Sequence, residues 1–253
     1  MPKMFISNAT LRELIEKATY EEKLSLTKIL DKHQTKPFLA TKLQKDICWE
    51  GGHGFANTYR GQGTGYLDIL DEVADELKIR NIPSYNSKVK YYDEIESLKY
   101  DQEKAKILGI DYAEKVEEKI ILKVLEITYK EMSEQDKLSF DAQINKIAKE
   151  FDSNITEKLT GTAGLMALGN LGGFATYTFL TTAMSTITMG TLGFGAYTAA
   201  TTLLSIALGP VGWAGLGAAT ILALGKPDYQ KLIPIVATIG AIRQRIKYES
   251  NVS

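Results

Sequence analysis

Apolar residues recur at three- and four-residue intervals through most of the first 158 positions, and that spacing predicts a succession of amphipathic helices. Leu11, Leu14, Ile15 and Ala18 share one helical face, and Leu26, Ile29 and Leu30 share another. Each run follows a hydroxyl residue with a glutamate three positions on, Thr10 with Glu13 and Thr19 with Glu22. In that spacing hydroxyl and carboxylate each satisfy an orphan backbone donor, which predicts a helix start at both places. The two helices should form a hairpin that ends by Pro37, because proline disfavours helix in the residue before it. A third helix is expected from Phe38 to about Trp49, with Phe38, Leu39, Leu43 and Ile47 facing inward. A fourth begins at Tyr66: Tyr66, Ile69, Leu70, Val73 and Leu77 form its apolar stripe, and Asp68, Asp71, Glu72, Asp75 and Glu76 its solvated face. Residues 88 to 131 keep the helical period, most clearly at Val116, Ile120, Ile121, Val124 and Leu125, with Gly109 as the place where the run would divide. Ser133 and Asp136 offer a further cap, followed by Leu138, Ile144, Ile147 and Phe151 in a helix to about residue 152. Strand alternation is nearly absent before residue 159, so this part reads as an all-α multi-helix bundle.

The pattern then stops. From Leu159 to Gly225 there is no Asp, Glu, Lys, Arg or His, although charged residues are 24% of the chain. Thirteen of the 21 glycines fall in the same stretch. Glycine costs about 1 kcal/mol relative to alanine in a solvated helix, so such density points to helices in close contact. Gly190, Gly193 and Gly195, with Phe194 among them, mark a turn, and Gly209-Pro210 marks a second. The apolar segments are then about 163–189, 192–208 and 211–224; a bilayer crossing takes about twenty residues, so the first is long enough and the second marginal. The first two would make a hairpin whose tip carries no charge. Thirteen threonines keep the stretch less apolar than a leucine-rich anchor. Two environments therefore remain open: a bilayer entered conditionally, or a buried core wrapped by the preceding helices or by other copies of the chain. The β-branched run YTFLTTAMSTITM leaves local strand structure open as well.

Charge follows the same division. The net charge is -1, but residues 226–253 hold Lys226, Lys231, Arg243, Arg245 and Lys247 against Asp228 and Glu249. A mildly acidic body, a neutral block and a basic end suit an anionic membrane surface better than nucleic acid. The expected regions are a helical hairpin at 1–37, a charged amphipathic helical domain at 38–158, and a glycine-rich apolar region with a basic surface at 159–253. One cysteine, Cys48, allows no internal disulfide and fits a reducing compartment. The opening residues lack the apolar core of a signal peptide, so a cytoplasmic protein is expected, peripheral to or inserted in the inner membrane.

Residues 51–79, GGHGFANTYRGQGTGYLDILDEVADELKI, resemble the uncharacterised bacterial YaaW family, grouped with ubiquinol-cytochrome c chaperone-like proteins. The resemblance is carried by Gly51, Gly52, Asn57, Arg60, Gly61, Gly63, Tyr66, Ile69, Leu70, Asp71 and Val73. Residues 209–245 are similar to the family's C-terminal pattern through Gly209-Pro210-Val211-Gly212, Tyr229, Pro234 and the basic pair Arg243 and Arg245. The resemblance implies a helical architecture and a role in handling membrane-associated proteins; it implies no catalytic residues.

The candidate chemistry is sparse. The run Gly61-Gln62-Gly63-Thr64-Gly65 lacks the preceding strand and the Gly-Lys-Ser/Thr end of a phosphate loop. It reads instead as a tight turn, with Asn57 as a cap and Arg60 paired to Asp71 or Asp68, or as a groove in which Asn57, Arg60 and Tyr66 meet a peptide or lipid headgroup. Cys48 and His53 lack the third group of a catalytic triad, and His33, His53 and Cys48 are too few for a zinc site. The expectation is a protein without enzymatic activity, cofactor or metal. Its apolar hairpin would associate with a membrane; the alternative is a soluble assembly chaperone or adaptor whose Gly51-to-Tyr66 motif holds a protein partner.

Overall fold

The described residues are all α-helical, as the periodicity predicts. A computed structural model describes residues 10–30, 36–52, 63–79, 102–172, 175–179 and 229–252. Among these there is no strand, and the helices are α1 (residues 10–16), α2 (Tyr20–Leu30), α3 (Ala40–Glu50), α4 (Tyr66–Glu76), α5 (Gln102–Glu131), α6 (Glu134–Phe151), α7 (Gly161–Asn170), α8 (residues 175–179) and α9 (Tyr229–Val252). By contact they fall into two compact units. One comprises Met1–Ile120 and Ala223–Ile242, the other Ile121–Leu222 and Arg243–Ser253, so the division lies inside α5 and inside α9.

In the first unit α1 buries Leu11, Leu14, Ile15 and Ala18. Its successor starts at the expected capping box: the Thr19 N–H donates to Glu22 Oε2 (2.7 Å) and the Glu22 N–H to Thr19 Oγ1 (3.2 Å). Glu13 is instead ion-paired with Lys106 of α5 at 2.6 Å. The hairpin into α3 is closed by Thr27, whose hydroxyl donates to the Lys23 carbonyl (2.8 Å) and accepts the Phe38 N–H (3.0 Å). Burying Thr27 therefore leaves no orphan at its hydroxyl.

Leu43 and Ile47 are inside α3 as expected, but Leu39 is not: it is 79% exposed. Leu39 is the N-cap, with φ -62° and ψ 150°, and an extended residue leaves the helical stripe that its spacing suggested. The unit's C-terminal contribution is α9, where Leu232, Ile233, Ile235, Val236, Ala237, Ile239, Ala241 and Ile242 are all buried. A helix apolar on every side belongs inside a core. Pro234 lies within it, and Thr238 returns a hydrogen bond to the Pro234 carbonyl at 2.7 Å.

Helix α5 runs without interruption through Gly109, contrary to the division expected there. In the second unit its final turns bury Ile121, Val124 and Leu125, and α6 buries Phe140, Ile144, Ile147 and Ala148. The predicted cap is present, with Ser133 Oγ accepting the Asp136 N–H at 3.2 Å. Leu138, placed inside by the sequence reading, is exposed, because the packed stripe runs through Phe140, Ile144 and Ile147 and Leu138 lies on the far side of the helix. Phe151, at the helix end, is also partly exposed.

The first part of the charge-free stretch packs into this unit. On α7, Leu165 and Leu168 are buried, Gly164 lies against Ile144 and Gly169 against Leu122. Helix α7 ends at Asn170, and Gly172 has φ +102°, so residues 163–189 do not form one continuous helix. Beyond the break, Phe179 meets the Phe140 ring edge-on at 4.7 Å, and Phe140 in turn lies 5.2 Å from the Tyr129 ring. No helix among the described residues is long and apolar enough to cross a membrane. The expected hairpin tip, Gly190, Gly193, Phe194 and Gly195, lies outside the described residues, as does the run read for strand beyond Phe179.

Candidate functional site

The glycine motif is built on the last turn of α3. There the Cys48 carbonyl accepts the Thr64 N–H at 2.8 Å, bringing the end of the motif back onto the helix. A Cβ at Gly63 would stand 1.9 Å from the Cys48 carbonyl oxygen, so only glycine fits. At the other end Gly51 faces Ile69 of α4, whose Cγ1 would lie 2.3 Å from an added Cβ. Gly51 and Gly52 donate to the Ile47 and Trp49 carbonyls. These backbone groups serve helix ends rather than a phosphate. Asn57, Arg60 and Gly61, with His53 and His33, lie outside the described residues.

From Gly65 the chain enters α4, and its first residue carries the most distinctive arrangement in this unit. The Tyr66 hydroxyl donates to Glu117 Oε1 at 2.8 Å, and the Tyr112 hydroxyl donates to Asp71 Oδ1. Each of the two helices supplies one tyrosine and, five residues later, one carboxylate, so the pairs run antiparallel between α4 and α5. All four side chains are buried. Burial of a carboxylate is unfavourable unless it is hydrogen-bonded, and each phenol meets that need. Asp71 was expected on the solvated face of α4. It is 4% exposed, because the packed surface of α4 extends past the stripe to Leu67 and Ala74, which flank it and are also buried.

The remaining acidic face of α4 has a neighbour in α9. The Tyr229 phenol is pushed up to about 12, by burial first and then by the charges of Glu72, Glu76 and Asp75. Its proton is therefore held at all ordinary pH values. Further along α9, Lys231 pairs with Glu50 of α3 at 2.9 Å. Cys48 is buried and accepts a hydrogen bond from Gln44 Nε2 at 3.3 Å. Burial raises its thiol to about 11, only partly opposed by that bond, so the nucleophilic thiolate is scarce at neutral pH. Among the described residues no group of three or more His, Cys, Asp or Glu side chains is placed to hold a metal.

The basic end is less uniform than its composition suggested. Arg243, expected at the surface, is 7% exposed, since the buried run of α9 extends through it and Gln244. Arg245 pairs with Glu249 at 2.7 Å, Lys247 is exposed, and Lys226 lies outside the described residues.

A second polar arrangement, in the other unit, was not anticipated. Asp141 of α6 accepts the Gly161 N–H at 2.8 Å through one oxygen and the Tyr129 hydroxyl at 3.3 Å through the other. One turn on, Asn145 donates to the Leu159 carbonyl (2.6 Å) and accepts the Leu159 N–H (2.8 Å). The entry to the charge-free stretch is thus clamped by two side chains of α6. Gly161 adopts φ +54°, with the Tyr129 ring 3.2 Å from where a Cβ would be, so both its backbone and its surroundings call for glycine.

No described protein family's sequence profile matches the chain. No solved structure resembles it. Among curated proteins, a UPF0174 protein of Helicobacter pylori strain J99 is 24% identical over 211 residues, covering 81% of this chain and 70% of its own length. A second, from strain 26695, is 23% identical over 217 residues, covering 81% and 88%. A third, again from strain J99, is 24% identical over 215 residues, covering 82% and 89%. Over most of its length, then, the chain is related to uncharacterised bacterial UPF0174 proteins.

Proposed function

We propose that this is a non-enzymatic helical protein whose charge-free, glycine-rich stretch associates conditionally with a membrane at the cytoplasmic face, while the helices before and after it stay folded as an anchor. The observation that carries this reading is the absence of Asp, Glu, Lys, Arg and His from Leu159 to Gly225, beside a structured, clamped entry at Leu159 and Gly161. An ionised residue costs about 2.5 to 3.5 kcal/mol at the centre of a bilayer, and this stretch has none to insert.

The test combines flotation with a local probe. In a Cys48→Ser, Phe194→Cys background, a polarity-sensitive fluorophore at residue 194 should report transfer to an apolar environment when vesicles are added. The chain should float with vesicles containing phosphatidylglycerol, more completely at lowered pH. Recovery of all the protein in the soluble fraction under every condition, or a label that stays in water while the chain floats, would overturn the hairpin reading. The alternative, a soluble adaptor whose glycine motif holds a partner through Asn57 and Arg60, with Tyr66 buried against Glu117 and so no part of the contact, predicts a partner lost on Arg60→Ala with an unchanged melting temperature.

A further inference from the structure

Three of the large apolar side chains exposed among the described residues belong to the α2 and α3 hairpin: Tyr20, Leu39 and Trp49. The last two sit at opposite ends of α3, and the helical positions between them on the outer side carry lysine. From residue 36 to residue 49 there are three lysines, Lys36, Lys42 and Lys45, all exposed, against one acid, Asp46. The Lys42 ammonium lies 3.3 Å from the centre of the Phe38 ring and 2.9 Å from Asp46. Beyond this segment Glu50 is already engaged by Lys231. A local positive surface therefore interrupts a body whose first 158 residues are net acidic.

We propose that the outer face of α3, with Leu39 and Trp49 as anchors and Lys36, Lys42 and Lys45 between and beside them, is a docking surface for the headgroup layer of an anionic bilayer. The occupant follows from the chemistry. Tryptophan and lysine both have an apolar body and a polar end, and both settle where hydrocarbon meets water. Leu39, on an extended residue at the helix start, projects clear of the packed stripe, so it can enter acyl chains without unfolding the hairpin. An acidic protein would use the lysines but offers no reason for two exposed apolar side chains, one at each end of the same helix. This surface rests on the membrane reading above and deepens it: the chain would contact lipid through its folded body as well as through the charge-free stretch.

The experiment uses the full chain and vesicles of phosphatidylcholine with and without phosphatidylglycerol. Trp49 emission, taken as the difference between the native chain and Trp49→Phe, should shift to the blue with anionic vesicles and be quenched by brominated acyl chains. Lys42→Gln with Lys45→Gln should lower partitioning about fivefold for each lysine. Leu39→Ser should lower it too, and all these exposed positions should leave the melting temperature unchanged. Flotation of the chain with no response from Trp49 and no effect of the lysine pair would overturn this surface while leaving the hairpin reading standing. Failure to float at any composition would overturn both. A Trp49 response that needs only higher protein concentration, without lipid, would overturn the proposal by showing a second copy as the occupant.

Discussion

Tyr112 and Asp71 bridge two antiparallel helices by a buried phenol-to-carboxylate hydrogen bond, and Tyr66 and Glu117 repeat it with the donors exchanged. The segments are alike in sequence, Tyr-Leu-Asp-Ile-Leu-Asp at 66–71 and Tyr-Ala-Glu-Lys-Val-Glu at 112–117. A buried carboxylate that loses a hydrogen-bond donor is left with part of its desolvation cost uncompensated. Tyr112→Phe should therefore destabilise the protein by about 2 kcal/mol in chemical denaturation. Tyr112→Phe with Asp71→Leu should cost less than the sum of the single changes, giving a coupling of about 1 kcal/mol or more. Additive effects would show that the pair does not act as a unit.

The two ends of the glycine motif should respond differently to the same substitution. Gly63→Ala drives a methyl group into the Cys48 carbonyl, and backbone on backbone cannot yield without moving α3. A loss of about 3 kcal/mol is expected. At Gly51 the obstruction is the Ile69 side chain, so Gly51→Ala with Ile69→Ala should cost less than the sum of the two single changes, whereas no side-chain truncation should couple to Gly63→Ala in this way. Thermal melts of Gly63→Ala, Gly51→Ala, Ile69→Ala and the Gly51 and Ile69 double decide it.

Cys48 gives a pH dependence. Its folded-state value, about 11, lies above the ordinary 9.0. The contribution of the neutral thiol to stability is thus fully present below pH 9 and is lost as pH rises towards 11, with a slope of up to about 1.4 kcal/mol per pH unit. Denaturant midpoints measured across that window should fall more steeply for the native chain than for Cys48→Ala. Equal slopes would remove Cys48 from the account. The same burial predicts slow reaction with thiol reagents at neutral pH and fast reaction after unfolding.

Much of the fold was legible because it rests on local chemistry. The caps at Thr19 and Ser133 and the stripes of α1, α4 and α5 follow from spacings within a few turns. What escaped depends on partners far along the chain. Asp71 reads as solvent-facing until the Tyr112 hydroxyl, 41 residues on, is brought against it. The repeated tyrosine-to-acid spacing was the available signal, and it is visible only when 66–71 and 112–117 are set side by side. Helix α9 hid for the opposite reason: a helix buried on all sides has no apolar stripe, and its Lys and Arg residues draw attention to a surface that Arg243 does not occupy. Gly63 stands out as part of a tight turn and Gly161 only as composition, and the carbonyl and the tyrosine ring that require them belong to other segments.

The clamp that Asp141 and Asn145 place on Gly161 and Leu159 also fixes how the chain tolerates change in length. Both hydrogen-bonding groups of Leu159 are held by one side chain, so α7 begins at a set point on α6 whatever precedes it. The segment from Asp152 to Lys158 is largely exposed and joins two positions that α6 itself determines. Insertions or deletions there are absorbed as loop, at a closure cost that grows only with the logarithm of length. A single residue added between Leu159 and Gly161 would instead set the Asn145 clamp against the Asp141 clamp, since both hold fixed points on the chain only two residues apart.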